Sequence, residues 1–193
     1  MPDAEPIAEP SPRPAADPPP TAELPVVPTG RSGPPPLVLR LLGMTTYLGL
    51  AGFVVSEIVQ VATSGWSGFA AASLLNALVW LAGVNSLVIG CGHLLFPDPI
   101  AESIGWPAGN PFQWEVGLAG VLIGVLGILA GSGFDRQFQL AAVLAFAIFY
   151  LGAALGHVVQ IVRHGNREAG NAGFILWYDV LAPLLVIALY VAS

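Results

Sequence analysis

From residue 37 onward the sequence is a series of five apolar stretches, 37–61, 69–96, 111–130, 138–162 and 174–191, parted by short polar connections. Each is close to the ~20 residues that a helix needs to cross the hydrocarbon of a bilayer. The expected fold class is therefore all-α, a polytopic transmembrane helical bundle of five spans. Of 193 residues only 9% are charged, against 55% hydrophobic, whereas a soluble domain usually carries ~25% charged residues. A chain this short could not cover so much apolar surface in water, and lipid is the solvent that resolves the mismatch.

Residues 1–36 are a different polymer. Thirteen of the 18 prolines fall there, with five acidic residues against Arg13 and Arg31. Such a segment buries too little apolar surface to offset its ordering entropy, so a disordered acidic tail with polyproline-II character is expected. It lacks the apolar core of a signal peptide and is too acidic for a transit peptide. It reads as a solvated tail, or as a tether for a cytosolic protein partner.

Charge and composition exclude several classes. The formal net charge is −6 with no basic patch, which argues against a nucleic-acid partner. Every basic residue is an arginine, so no lysine amine is present for a Schiff-base cofactor. Cys91 is the single cysteine and lies in an apolar run, where it reads as a small core hydrophobe. No connection is large enough for a soluble catalytic domain, and any chemistry has to use groups on the spans or at their ends. With five spans, Arg40, Arg163 and Arg167 share one side and Arg136 lies on the other. The positive-inside tendency then puts the N-terminus in the cytoplasm and the C-terminus outside a cell (inner) membrane.

The connection between the second and third spans carries its own signals. Asp98-Pro99 reads as the N-cap and first position of a short surface helix that Gly105 ends. Asn110-Pro111 opens the third span, and Gln113, three residues after Asn110, completes a capping-box pattern. Within that span Gly117, Gly120, Gly124, Gly127 and Gly131 recur at steps of three and four. They form one smooth stripe that lets another helix approach closely. Gly152 and Gly156 give the fourth span a similar pair.

His93, Glu115, His157 and Asp179 lie on four different spans. Ionisable groups within spans are costly, so they face the protein interior or a cavity, and a functional role is the default expectation. All four fall toward one face of the membrane, which makes them ligand or proton-site candidates. Gln113, Tyr150, Gln160 and Tyr178 are secondary polar candidates. A weak repeat of 64 residues carries Gly92-His93 onto Gly156-His157 and Trp114-Glu115-Val116 onto Tyr178-Asp179-Val180. Imidazoles and carboxylates together could bind a metal, with His93 and His157 as its ligands, hold a haem axially, or pass protons to a quinone. The alternative for the same residues is a structural hydrogen-bond network. Glu57, near the opposite face, is expected to snorkel to the interface.

The strings Gly92-His93, Phe96-Pro97-Asp98, Ala101, Ile104-Gly105-Trp106, Pro111-Phe112-Gln113 and Glu115-Val116-Gly117 resemble an uncharacterised family of small bacterial multi-pass membrane proteins. Gly156-His157 and Asn171-Ala172-Gly173 fit the same pattern, which covers roughly residues 70–193. More distantly, the pattern is similar to DoxX-like proteins, four-span bundles some of which are associated with terminal oxidases and thiol redox systems. The resemblance implies a membrane bundle and brings no activity with it. Three roles stay open: an accessory or assembly factor without enzymatic chemistry, a cofactor-binding or proton-coupled redox protein, and a small transporter subunit. The last would need a homo-oligomer.

Overall fold

The computed structural model describes Met44 and residues 47–193. The tail expected over 1–36 and the start of the first expected span lie outside the described residues. Every regular element among the described residues is helical: α1 (Leu48–Ser64), α2 (Phe69–Leu95), α3 (Pro97–Ser103), α4 (Phe112–Gly131), α5 (Arg136–His164), α6 (Ala169–Ala172) and α7 (Phe174–Ala192).

Four of these runs are long and apolar enough to cross a membrane: α2, α4, α5 and the α6–α7 run Ala169–Ala192. The fifth expected span is represented by α1, an apolar helix of 17 described residues. That is ~26 Å at 1.5 Å per residue, short of the ~30 Å hydrocarbon core. α5 is longer than its expected 138–162 because both of its ends are capped. Asp135 Oδ1 accepts from the Phe138 N–H at 2.8 Å, and Gly165 stops the helix with φ 65°.

The glycine stripe of α4 lies directly on α2. A Cβ built at Gly120 would stand 2.8 Å from the Gly90 Cα, and one at Gly90 would stand 2.6 Å from the Val121 nitrogen. Lower down, Gly127 faces Gly83, and Gly124 faces Leu87. The order of these pairs runs in opposite directions along the two chains, so the helices are antiparallel and in backbone contact. Helices in lipid have no hydrophobic drive toward one another and associate through van der Waals contact at this range. Gly152 and Gly156 share the four-residue spacing but not the role. A Cβ at either would meet nothing within 4 Å, and both face outward on α5. The helix-packing expectation is corrected there, because spacing specifies a smooth face without supplying a partner.

α2 is the central element. Its middle, Leu78–Asn85, is π-wound and touches α1, α4, α5 and α7. Leu74, Leu78 and Leu81 of α2 and Phe146 of α5 are among the largest fully buried side chains. α5 and α7 pair along their length, and Arg136 fastens one end of that pair. Its Nη1 donates to Ser193 Oγ at 2.7 Å, its Nη2 donates to the Tyr190 carbonyl oxygen, and its guanidinium lies 3.7 Å over the Tyr190 ring.

At the opposite end the connections lock together. Asn166 Nδ2 donates to the Ile104 carbonyl oxygen at 2.8 Å. The short helix α3 starts two residues earlier than expected, with Phe96 as its N-cap. Asp98 therefore lies in the first turn, and its Oδ1 accepts from the Gly109 N–H at 2.7 Å. It closes the loop and does not cap the helix.

Glu57 does not snorkel. Its carboxylate accepts from Ser73 Oγ at 2.6 Å and from Asn76 Nδ2 at 2.9 Å, tying α1 to the start of α2. Such bonds replace the hydration that the interface would otherwise supply. Glu57→Leu leaves both donors unpaired, with an expected loss of about 1–2 kcal/mol. The midpoint of SDS-induced unfolding in mixed micelles measures it, and an unchanged midpoint contradicts the assignment.

Candidate functional site

Two imidazoles meet carboxamides at the end of the bundle that carries α3. His157, on α5, donates from Nδ1 to Asn171 Oδ1 at 2.7 Å. Asn171 is 1% exposed, and its Nδ2 reaches the Asn166 carbonyl oxygen at 3.0 Å and that of His157 at 3.4 Å. An amide oxygen can only accept, so the proton sits on Nδ1 and Nε2 is the nitrogen left to exchange one. That Nε2 stands 3.5 Å from Asp179 Oδ2, with the side chains 17% and 4% exposed. The distance is that of an ion pair, slightly beyond a hydrogen bond. Pro183 lies one turn on in α7 and is buried; lacking an N–H, it leaves the Asp179 carbonyl without its helical donor.

His93, near the end of α2, makes the parallel contact. Its Nδ1 is 2.5 Å from Gln113 Oε1, across the α2–α4 connection. Gln113 is 1% exposed, and its Nε2 has no hydrogen-bond partner among the described residues. The capping-box expectation is thereby corrected. Asn110 Oδ1 accepts from the Phe112 N–H at 3.0 Å without help, and Gln113 turns inward to the histidine.

The remaining candidates separate into two kinds. Tyr150 and Tyr178 are buried deeper in the bundle, with ring centroids 6.0 Å apart. The Tyr150 hydroxyl donates to Ser86 Oγ at 2.8 Å, and the Tyr178 hydroxyl donates to the Leu81 carbonyl oxygen at 2.8 Å. Glu115 is exposed and makes no side-chain hydrogen bond or ion pair among the described residues, and the Gln160 side chain likewise makes none. The 64-residue repeat would match a His93–Glu115 pair to His157–Asp179, but His93 takes Gln113 instead. The polar groups therefore form two separate pairs, not a single layer of four. Among the described residues no three His, Cys, Asp or Glu side chains gather where they could hold a metal ion.

Sequence reasoning missed Asn171, Asn85, Ser86, Ser73 and Asn76. Small amides and hydroxyls are common in apolar helices, and only the unusual Asn166–Asn171 pair in the fourth connection carried a signal. An apolar groove of about 560 Å³, lined by Phe53, Glu57, Ile58, Trp66, Leu185 and Leu189 among others, lies at the other end of the bundle from His157.

Asn171 and Gln113 differ in what their loss exposes. Asn171→Leu removes three bonds and frees the His157 ring, with an expected cost of about 2 kcal/mol. Gln113→Leu removes one bond together with an unpaired buried amide, so its cost is expected below ~1 kcal/mol. SDS-unfolding midpoints of the two variants check the order, and the reverse order contradicts it.

No curated protein and no solved structure matches the chain. The helical bundle and its connections fall within one matched region, residues 42–193, and by that match the chain belongs to DUF6790, a family of unknown function.

Proposed function

We propose that this chain is a multi-pass protein of the cell (inner) membrane that handles protons through His157 and Asp179. The observation that carries the reading is the His157–Asp179 pair itself. Asn171 holds Nδ1 at 2.7 Å, and Nε2 faces a carboxylate at 3.5 Å that is 4% exposed. One mobile proton serves both groups: it makes either an imidazolium–carboxylate pair or a neutral imidazole beside a carboxylic acid. His157 is partly open while Asp179 is enclosed, so the histidine is the natural port and the aspartate the inner station. Tyr150, seven residues and ~10 Å further along α5, and its partner Ser86 continue the polar file inward. His93 with Gln113 would form a second, lesser pair.

The reading includes α1 as a fifth crossing, with the N-terminus cytoplasmic. Arg163 and Arg167 lie at the end of α5 opposite to Arg136, which supports that orientation. The proline-rich tail then lies in the cytoplasm, available to a protein partner. Four long apolar helices also suit the distant DoxX-like resemblance, in which some bundles accompany terminal oxidases.

The test is proton movement. In liposomes reconstituted with the purified chain and loaded with a pH-sensitive dye, an imposed pH gradient is expected to decay faster than in empty liposomes. Asp179→Asn and His157→Gln should each slow that decay at least ~10-fold. Equal decay for the wild type, both variants and empty liposomes overturns the reading.

A further inference from the structure

The π-wound stretch of α2 ends on Asn85, inside the bundle. Asn85 is 0% exposed, and neither its Oδ1 nor its Nδ2 has a hydrogen-bond partner among the described residues. Gly49 of α1 closes one side, since a Cβ there would stand 3.0 Å from the Asn85 Cγ. On another side the Tyr178 hydroxyl lies beside the carboxamide, yet gives its proton to the Leu81 carbonyl oxygen. The next residue, Ser86, receives the Tyr150 hydroxyl at 2.8 Å. Asn85 of α2 and Tyr178 of α7 thus meet at a polar point within an otherwise apolar core.

A carboxamide offers two donors and an acceptor. Enclosed without any bond, it costs a few kcal/mol, and more so at membrane depth, where bulk water cannot relieve it. A leucine of similar volume would carry no such penalty. π segments recur at functional positions because they re-aim side chains that an α-helix would place elsewhere. The group that satisfies Asn85 has to be small, because the site is fully enclosed. It also has to both donate and accept, because both ends of the amide are unpaired. Water has those properties, and buried waters typically bond to polar groups left unsatisfied in this way.

We propose that Asn85, with the Tyr178 hydroxyl, forms an internal water-binding site within the bundle. The water accepts from Asn85 Nδ2–H and donates to Oδ1 or to a neighbouring hydroxyl oxygen. The inference rests on the proton-handling reading in one respect: Asp179 is close enough to act electrostatically on both Tyr150 and Tyr178. The bound water would therefore prolong the His157–Asp179 pair toward the middle of the membrane.

Water-edited solid-state NMR of the full chain in lipid bilayers, labelled with ¹⁵N-asparagine and ¹⁵N-leucine, tests it. The Asn85 carboxamide signal is assigned by its loss in Asn85→Leu or, if that variant does not fold, by a backbone walk in the wild type. It is expected to receive water magnetisation about as fast as the Asn166 amide at the loop and several-fold faster than the buried Leu74 and Leu78 amides. Build-up as slow as that of Leu78, with the carboxamide protons coupled to a protein carbonyl, overturns the site. The two proposals fail separately. A dry Asn85 with Asp179-dependent proton movement removes the water site alone. A hydrated Asn85 with no Asp179-dependent movement keeps it and removes the proton reading.

Discussion

Gly120→Val is expected to destabilise the bundle by at least ~3 kcal/mol, enough to abolish folding in mild detergent, whereas Gly152→Val leaves it intact. Overpacking in a protein core usually costs 1–3 kcal/mol because neighbouring side chains can shift. At Gly120 the obstructing atoms are the Gly90 Cα and nitrogen and the Ser86 carbonyl oxygen. These are backbone, and they move only if α2 and α4 move apart along their shared face. Separation would also open Gly83–Gly127 and Leu87–Gly124, so one side chain forfeits the packing of the whole seam. Gly152 has the same neighbours in sequence terms, a glycine one turn away in an apolar helix, but a Cβ there meets nothing within 4 Å. The pair of variants separates close approach from helix propensity, since both exchange glycine for the same β-branched residue. Size-exclusion profiles and SDS-unfolding midpoints read the difference, and similar tolerance at both positions would disprove the packing assignment.

The second large effect belongs to the His157–Asp179 pair. Asp179→Ala strands a histidine already fixed through Nδ1, and Asn171 keeps it in place. Removing one partner of a buried ion pair can cost 3–5 kcal/mol, but interhelical polar contacts in membrane bundles average nearer ~0.6 kcal/mol. His157 is 17% exposed and so can recruit solvent, which places the expected loss at about 1–2 kcal/mol. The double variant His157→Leu/Asp179→Leu removes both charges and is expected to recover most of that stability. It should not recover proton movement in liposomes. A merely structural pair predicts the opposite combination, in which stability and any measurable phenotype fall and return together. In ¹⁵N and ¹³C NMR titrations the His157 ring and the Asp179 carboxyl should change in the same pH interval, as one coupled system. Independent transitions would break the assignment of a shared proton.

The four long apolar helices could be read from residues alone, because any run of about 20 apolar residues declares itself as a candidate span. α1 is the exception, since its described part, Leu48–Ser64, is shorter than a full crossing. The glycine seam of α4 was also visible as a smooth face. Its partner on α2, Gly83, Leu87 and Gly90, has the same steps of four and three but carries a leucine between its glycines, so it does not read as a smooth face. Gly152 and Gly156 show the same limit from the other side: a smooth face with no helix on it. Among the polar groups, His157 and Asp179 stood out because charge in a span is rare. Gln113 was hidden by a plausible local role, as Asn110 three residues before it invites a capping box. Asn171 was hidden by its setting in a polar connection, where an asparagine usually faces solvent. Glu57 was assigned to the interface because nothing in its own neighbourhood names Ser73 and Asn76, which reach it only after the chain reverses.

The winding of α2 has a consequence for how its length is constrained. A π turn carries about one residue more than an α turn, so the Leu78–Asn85 segment works as a phase adjuster between the two halves of the helix. Deleting one residue there would restore regular α geometry and leave Ser86 to Leu95 near their present setting, whereas inserting one residue wound as α-helix would rotate all of them by ~100° about the axis. Ser86 would swing away from Tyr150, Gly90 from Gly120 and His93 from Gln113 in a single step. Three contacts distant from one another in space thus share one azimuthal setting, and insertions or deletions in this helix are tolerable only in numbers that bring its second half back into register.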